Sequence, residues 1–291
     1  MPTVQERIAA GRFVSFELWP PRSPQSATAL DDALARLSGL GPAFVAVTYG
    51  AGGSTRERTH EVVVRLVDSP LLPLAHLTCA AHHRAELVAL LRRYREAGVT
   101  ILLALQGDPP LDATAALPEG DLRHAIELVR LAREHGFQGI GVALHPEGHP
   151  AAPSPAADWG HQAEKLREAD FGLTQFLFRG EDYVALVERM RVRGAEAPVV
   201  PGVMPIVNVR QLERMAAMSG RPVPLALAER LHAVADRPEE VRRIGVEHAT
   251  ELCRALLDAG APGLHFYTMN LSAATLEVCA NLGWEATPAL A

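Results

Sequence analysis

Short apolar runs alternate with longer stretches in which leucine, valine and alanine recur at every third or fourth position, and this alternation continues along the whole chain. The short runs are FVSFEL (13–18), FVAVTY (44–49), LPLAHLTC (72–79), TILLALQG (100–107), GIGVALHP (139–146), FGLTQFLF (171–178), PVVPGVMPI (198–206) and GLHFYTMN (263–270). Between them lie amphipathic segments. In 29–40, for example, Leu30, Leu34, Leu37 and Leu40 fall on one helical face. The runs are nearly continuous in apolar residues, which predicts strands buried on both faces and therefore a parallel sheet. The repeated strand–helix rhythm predicts an α/β fold, a closed (β/α)8 TIM barrel as a single domain over 1–291, with a helical insertion at about 221–260 before the last strand. An open doubly wound sheet is the alternative. It has little support, because neither a G-x-G-x-x-G nor a Walker lysine motif is present.

Composition narrows the function classes. Barrels of this kind commonly need roughly 250 residues, and the chain has 291, of which 48% are hydrophobic. The net charge of −6 is made of mixed signs without a basic block, so nucleic acid is not an expected partner. The N-terminus lacks the apolar core of a signal peptide, and no apolar run reaches the roughly 20 residues that span a bilayer. No membrane partner is expected, and a cytoplasmic location is. Cys79, Cys253 and Cys279 are far apart and form no C-x-x-C, which predicts free thiols. Homo-oligomerisation is left open.

In a barrel, chemistry gathers where strands end. Those ends carry Glu17, Thr48 with Tyr49, His76 with Thr78, Gln106 and Asp108, His145 with Glu147 and His149, Thr174 and Gln175, Asn208 and Gln211, and 265–270. Glu17 stands between Phe16 and Leu18 and before Pro20-Pro21. A buried carboxyl needs a partner or holds on to its proton, which suits a general acid. A structural ion pair explains a lone strand glutamate equally well. His76 reads more simply as a core histidine than as a ligand. His145, Glu147 and His149 are close enough to suggest a metal site, but prolines make the segment a loop and H-E-x-x-H is absent, so no metal is expected. The AGGSTRERT segment fits an anion site at a helix start, or a plain loop capped by Ser54 or Thr55.

Eight segments in order carry a family resemblance: SFELWPPRS, FVAVTYGAGGSTRERT, LAHLTC, LLALQGDPP, HPEGHP, LTQFLF, PGVMPIVNVRQ and LHFYTMN. Over nearly its whole length the chain resembles methylenetetrahydrofolate reductase. The resemblance implies reduction of 5,10-methylenetetrahydrofolate to 5-methyltetrahydrofolate in one-carbon metabolism and methionine biosynthesis. NADH or NADPH supplies the electrons, and FAD usually carries the hydride. Glu17 then matches the acid that protonates N10 of the folate, and Asp108 the aspartate beside the pterin. Gln175 and Gln211 match folate-contacting glutamines, while Thr48, His76, Ala143 and Lys165 match positions lining the flavin site.

The chain departs from the family at several of these places. The family's L-R-G-D reads Leu105-Gln106-Gly107-Asp108, and its Y-P-E-x-H-P reads His145 to Pro150, with His149 retained. Where the following helix usually carries basic residues, His161 and Glu164 stand, with Lys165 kept. The loss of basic residues facing the phosphates, at Gln106 and Glu164, opens a second expectation beside FAD: direct hydride transfer from NADH or NADPH to the folate. Met215 stands where an aromatic residue often packs on the folate, and Leu271 where a basic residue often meets its glutamate tail. Two other functions compete. A folate- or nucleotide-binding barrel that has lost turnover need not keep both Glu17 and Asp108. A barrel aldolase or lyase would want a strand lysine, and none is found.

Overall fold

The computed structural model describes residues 2–49, 56–80, 82–107, 120–149, 152–220 and 222–285. Eight parallel strands close into a barrel in chain order, β1-β2-β3-β4-β5-β6-β7-β8. They are β1 (Phe13–Leu18), β2 (Val45–Val47), β3 (Pro73–Thr78), β4 (Ile101–Leu105), β5 (Gly139–Leu144), β6 (Phe171–Phe176), β7 (Val199–Val203) and β8 (Gly263–Tyr267). Closure is made by β1 on β8, where Ser15 pairs with His265 and Glu17 with Tyr267. Each strand lies within the apolar run that predicts it, and the loss is at the ends, where polar residues leave the ladder.

Alternation along the strands sorts side chains into two cores. Phe13, Phe44, Leu74, Ile101, Leu103, Phe171, Leu173 and Val200 fill the lower interior. The ring of Phe44 lies 6.3 Å from Phe13 and 5.8 Å from Phe171. Burying each such side chain stabilises the fold by about 1.5–3 kcal/mol. The helix α1 (Val4–Ala9) presses Val4 and Ile8 onto this floor. It is too short for periodicity to reveal, but a capping box between Thr3 and Glu6 starts it. The outward strand residues meet the surrounding helices in a second, larger core.

The ring helices are α2 (Pro24–Ser38), α3 (Arg56–Val67), α4 (Arg84–Glu96), α5 (Ala125–Glu134), α6 (Pro155–Glu168), α7 (Gly180–Val192), α10 (Pro238–Asp258) and α11 (Ser272–Asn281). Two more, α8 (Val209–Ser219) and α9 (Leu225–His232), come between β7 and α10. The segment 222–260 therefore carries both α9 and α10. Of these, α10 packs against α7, β7 and α11 and takes the ring position. Residues of α8 and α9 join Phe176, Met204, Ile206 and Ile244 in a third apolar cluster. This cluster supports the strand ends that carry the polar residues.

Candidate active site

Glu17 lies near the top of β1, with its side chain only 12% exposed. Two imidazoles converge on the same carboxylate oxygen, Oε2: Nε2 of His76 at 3.7 Å and Nε2 of His265 at 4.0 Å. Neither Nε2 atom has a hydrogen-bond partner. Loss of solvation is the chief influence on His76 and pushes it down to about 4, with the Glu17 charge opposing and His265 adding to the shift. His76 is therefore neutral at pH 7. His265 is fixed from behind, where its Nδ1 sits 2.9 Å from Oγ of Ser15 and its ring stacks on Phe44. Among the described residues the Glu17 carboxylate meets two imidazoles and no lysine or arginine.

The backbone around this acid is tied to the loop after β8. The Thr268 hydroxyl donates to the Glu17 carbonyl at 2.7 Å, and the Thr268 N–H reaches the same oxygen at 3.3 Å. The Asn270 side chain accepts from the Trp19 N–H and donates to the Trp19 carbonyl. Met269 and Asn270 take positive φ values of 50° and 61°. Two consecutive non-glycine residues in that region cost free energy and occur where the surroundings over-determine the backbone.

Gln175 is half-buried at the end of β6, and its amide oxygen accepts from the Phe176 N–H at 3.1 Å. A backbone N–H must donate, so this contact fixes the amide orientation and leaves the Gln175 NH2 group free among the described residues. Gln211 begins α8, where Asn208 caps the helix by accepting from the Gln211 N–H. The Gln211 side chain donates to Sδ of Met269 at 2.8 Å. Met215 follows one turn later, half-buried against the third cluster. The structure thus brings Gln211 and Met215 to the loop that also grips Glu17. Leu271 is 48% exposed beside them in the chain.

Across the mouth stand the other expected residues. Thr48 and Ala143 are half-buried at the ends of β2 and β5, and Gln106 is exposed after β4. Gly107 has φ +98°, and a Cβ there would come within 3.0 Å of Thr78, so glycine is required. Asp108 lies outside the described residues, as does the loop 50–55 with Ser54 and Thr55. The rings of His145 and His149 meet edge to face at 4.8 Å. Lys165 is half-buried on α6, and its side chain makes no hydrogen bond or ion pair among the described residues. Lost solvation pulls its ammonium down to about 8, against the opposing charge of Asp158. Glu164, by contrast, is exposed and pairs with His161 at 3.8 Å.

Two functional residues escape a reading of spacing alone. Gln162, almost fully buried, accepts from the His145 N–H at 2.7 Å and donates to the His145 carbonyl at 3.0 Å. Asp158 accepts from Gln162 and from the His149 N–H. Together they hold the His145–His149 loop. Their polarity on an inward helical stripe is the signal that could have revealed them. Among the described residues no cluster of His, Cys, Asp or Glu could hold a metal ion, and no helix is long and apolar enough to cross a membrane.

Fold and site together define a (β/α)8 barrel enzyme with an acid at the barrel mouth, flanked by amides on one side and an unpaired ammonium on the other. More particularly, the chain belongs to the methylenetetrahydrofolate reductase family, whose model matches residues 3–283. It is 34% identical over 272 residues to the 5,10-methylenetetrahydrofolate reductase of Pectobacterium carotovorum subsp. carotovorum, covering 93% of this chain and 90% of that protein. Methylenetetrahydrofolate reductase (NADH) 1 of Arabidopsis thaliana is 33% identical over 283 residues, covering 92% of this chain and 48% of that protein. A solved Clostridium thermocellum protein, described as binding two copies of 5-methyl-5,6,7,8-tetrahydrofolic acid, shares the fold with a TM-score of 0.67. It is 13% identical, and the match covers 96% of this chain and 99% of that one.

Proposed function

We propose that this chain reduces 5,10-methylenetetrahydrofolate to 5-methyltetrahydrofolate, with NADH or NADPH as electron donor and Glu17 as proton donor. The observation that carries this reading is Glu17 itself, nearly buried, with two imidazoles and, among the described residues, no lysine or arginine at its carboxylate. Its proton goes to N10 of the folate. The five-membered ring opens, and an iminium forms at N5. Hydride adds to the iminium carbon and completes the methyl group. Gln175, Gln211 and Met215 take the folate, and Asp108 serves beside the pterin. Thr48, His76, Gln106, Gly107, Ala143, His145, His149 and Lys165 line the cofactor side.

The residues present fit a dinucleotide diphosphate, because Lys165 is a desolvated ammonium whose side chain makes no direct ion pair among the described residues, the charge of Asp158 opposing only part of the lost solvation. A phosphate would restore the interactions that burial removed. FAD carries the same diphosphate, and Thr48, His76, Ala143 and Lys165 would hold it. When bound, FAD relays hydride from the nicotinamide to the folate. Glu164 opposes this weakly, since its side chain is 58% exposed and its charge is screened by water. Three buried free thiols suit a reducing compartment, so the proposed location is the cytoplasm.

The test is incubation of the purified chain with methylenetetrahydrofolate and NADH or NADPH, with and without added FAD. Nicotinamide oxidation matched by 5-methyltetrahydrofolate is the expected result. Folate binding without oxidation under any of these conditions would overturn the reading in favour of a barrel that has lost turnover. The visible flavin band of the purified protein decides whether FAD is resident.

A further inference from the structure

The β6–β7 ladder breaks its register just below Gln175. Leu173 pairs with Val200, but the next pair is Phe176 with Gly202, so β6 carries one residue more than β7. The partner strand has Pro201 at this point, which has no N–H to donate. The extra residue is a β-bulge, and bulges near strand ends re-aim side chains. Just past the bulge the ring of Phe176 meets that of Tyr267 edge-on at 6.3 Å.

Three contacts fix the bulge. The Gly202 N–H donates to the Thr174 hydroxyl at 2.9 Å, and that hydroxyl donates to the Gln175 carbonyl at 2.7 Å. From the opposite side the Tyr267 phenol donates to the Thr174 carbonyl at 2.7 Å. The phenol reaches this carbonyl only because residue 202 is glycine: a Cβ there would lie 2.4 Å from the Tyr267 ring and 2.6 Å from the Thr174 oxygen. Tyr267 thus crosses β7 to clamp the peptide just before Gln175. We propose that Tyr267 is a positioning residue that holds the bulge of β6, and through it the free amide donor of Gln175, in the orientation that receives the folate. The proposal rests on the functional reading above.

A double-mutant cycle tests it, with the dissociation constant of 5-methyltetrahydrofolate as the readout and the full chain as the protein. Tyr267→Phe keeps the ring and removes the phenol that latches the Thr174 carbonyl, and the thermal midpoint verifies that the fold is retained. The lost hydrogen bond should weaken folate binding by up to about tenfold. In a Gln175→Ala background the same Tyr267→Phe change should weaken binding less than about twofold, because the group it positions is gone. Equal weakening in both backgrounds, or none in the first, would overturn the proposal. If the unmodified chain itself binds no folate, it is the functional reading that has failed.

Discussion

The two sides of the barrel mouth solve different problems. On the side of β6, β7, β8 and α8, side chains that hold the backbone in place are already engaged: Thr268 on Glu17, Tyr267 on Thr174, Gln211 on Met269, Asn270 on Trp19, while Nε2 of His265 and the amide donor of Gln175 stay open among the described residues. On the side of β3 and α6, Nε2 of His76 and the ammonium of Lys165 make no hydrogen bond among the described residues, the first facing only the Glu17 carboxylate and the second only the charge of Asp158. A pre-formed hydrogen-bonded frame holds one geometry and suits recognition of a substrate whose reacting atoms must be placed accurately. Unpaired buried groups cost stability until something pairs with them, which is why the proposed cofactor is placed on this side.

The contrast can be broken most strongly at Lys165. Lys165→Met should raise the KM for the nicotinamide cofactor roughly 10- to 100-fold, the equivalent of a charge-assisted contact of about 1.5–3 kcal/mol. The unliganded protein should not lose thermal stability. Its ammonium is pulled from 10.5 to about 8, so below that range the folded state holds the charge less readily than the unfolded chain does, and methionine removes that cost. A lower thermal midpoint with an unchanged KM would mean that Lys165 is structural and that the two sides do not differ in this way.

On the pre-formed side the sign reverses, and substitution should cost stability first. Asn270→Ala loses both contacts to Trp19 and leaves an alanine at φ 61°. Together these amount to about 2 kcal/mol. Asn270→Gly should recover about half of this by removing the backbone strain alone. Denaturant unfolding measures both. If the glycine variant were no more stable than the alanine variant, strain would not be stored in this loop.

A third effect, spread over several groups, is a change of slope. His60, His76 and His82 are each pushed from 6.5 to about 4, mainly by loss of solvation. Between those values the unfolded chain binds protons that the folded chain does not. Stability is therefore intact above pH 6.5 and lost as pH falls toward 4. The urea midpoint should follow that course, and His82→Asn should make it shallower. A profile flat over this window would contradict the burial assigned to these imidazoles.

Much of this was legible in the sequence, for identifiable reasons. Strands buried on both faces leave uninterrupted apolar runs, so β1 and its glutamate could be placed from FVSFEL alone. Gln175 stood out because amides are rare in such runs, and Gln211 because it follows closely on the strand run 198–206 and matches a folate-contacting glutamine of the family. The roles of Tyr267, Thr268 and Ser15 could not be read, because each depends on the closure of β8 against β1 or on reach across β7, contacts between residues 93 to 251 positions apart. Burial of Lys165 was hidden as well, since a lysine on an amphipathic helix ordinarily faces water. The structure added which polar residues are satisfied and which are not.

The central claim is that Glu17 delivers the proton that opens the folate ring, and Glu17→Gln tests it most directly. The substitution keeps the shape and removes the acid. The account predicts a fall in turnover of roughly 100-fold or more, with 5-methyltetrahydrofolate binding and thermal midpoint close to those of the unmodified chain. Turnover retained at the unmodified level would contradict it.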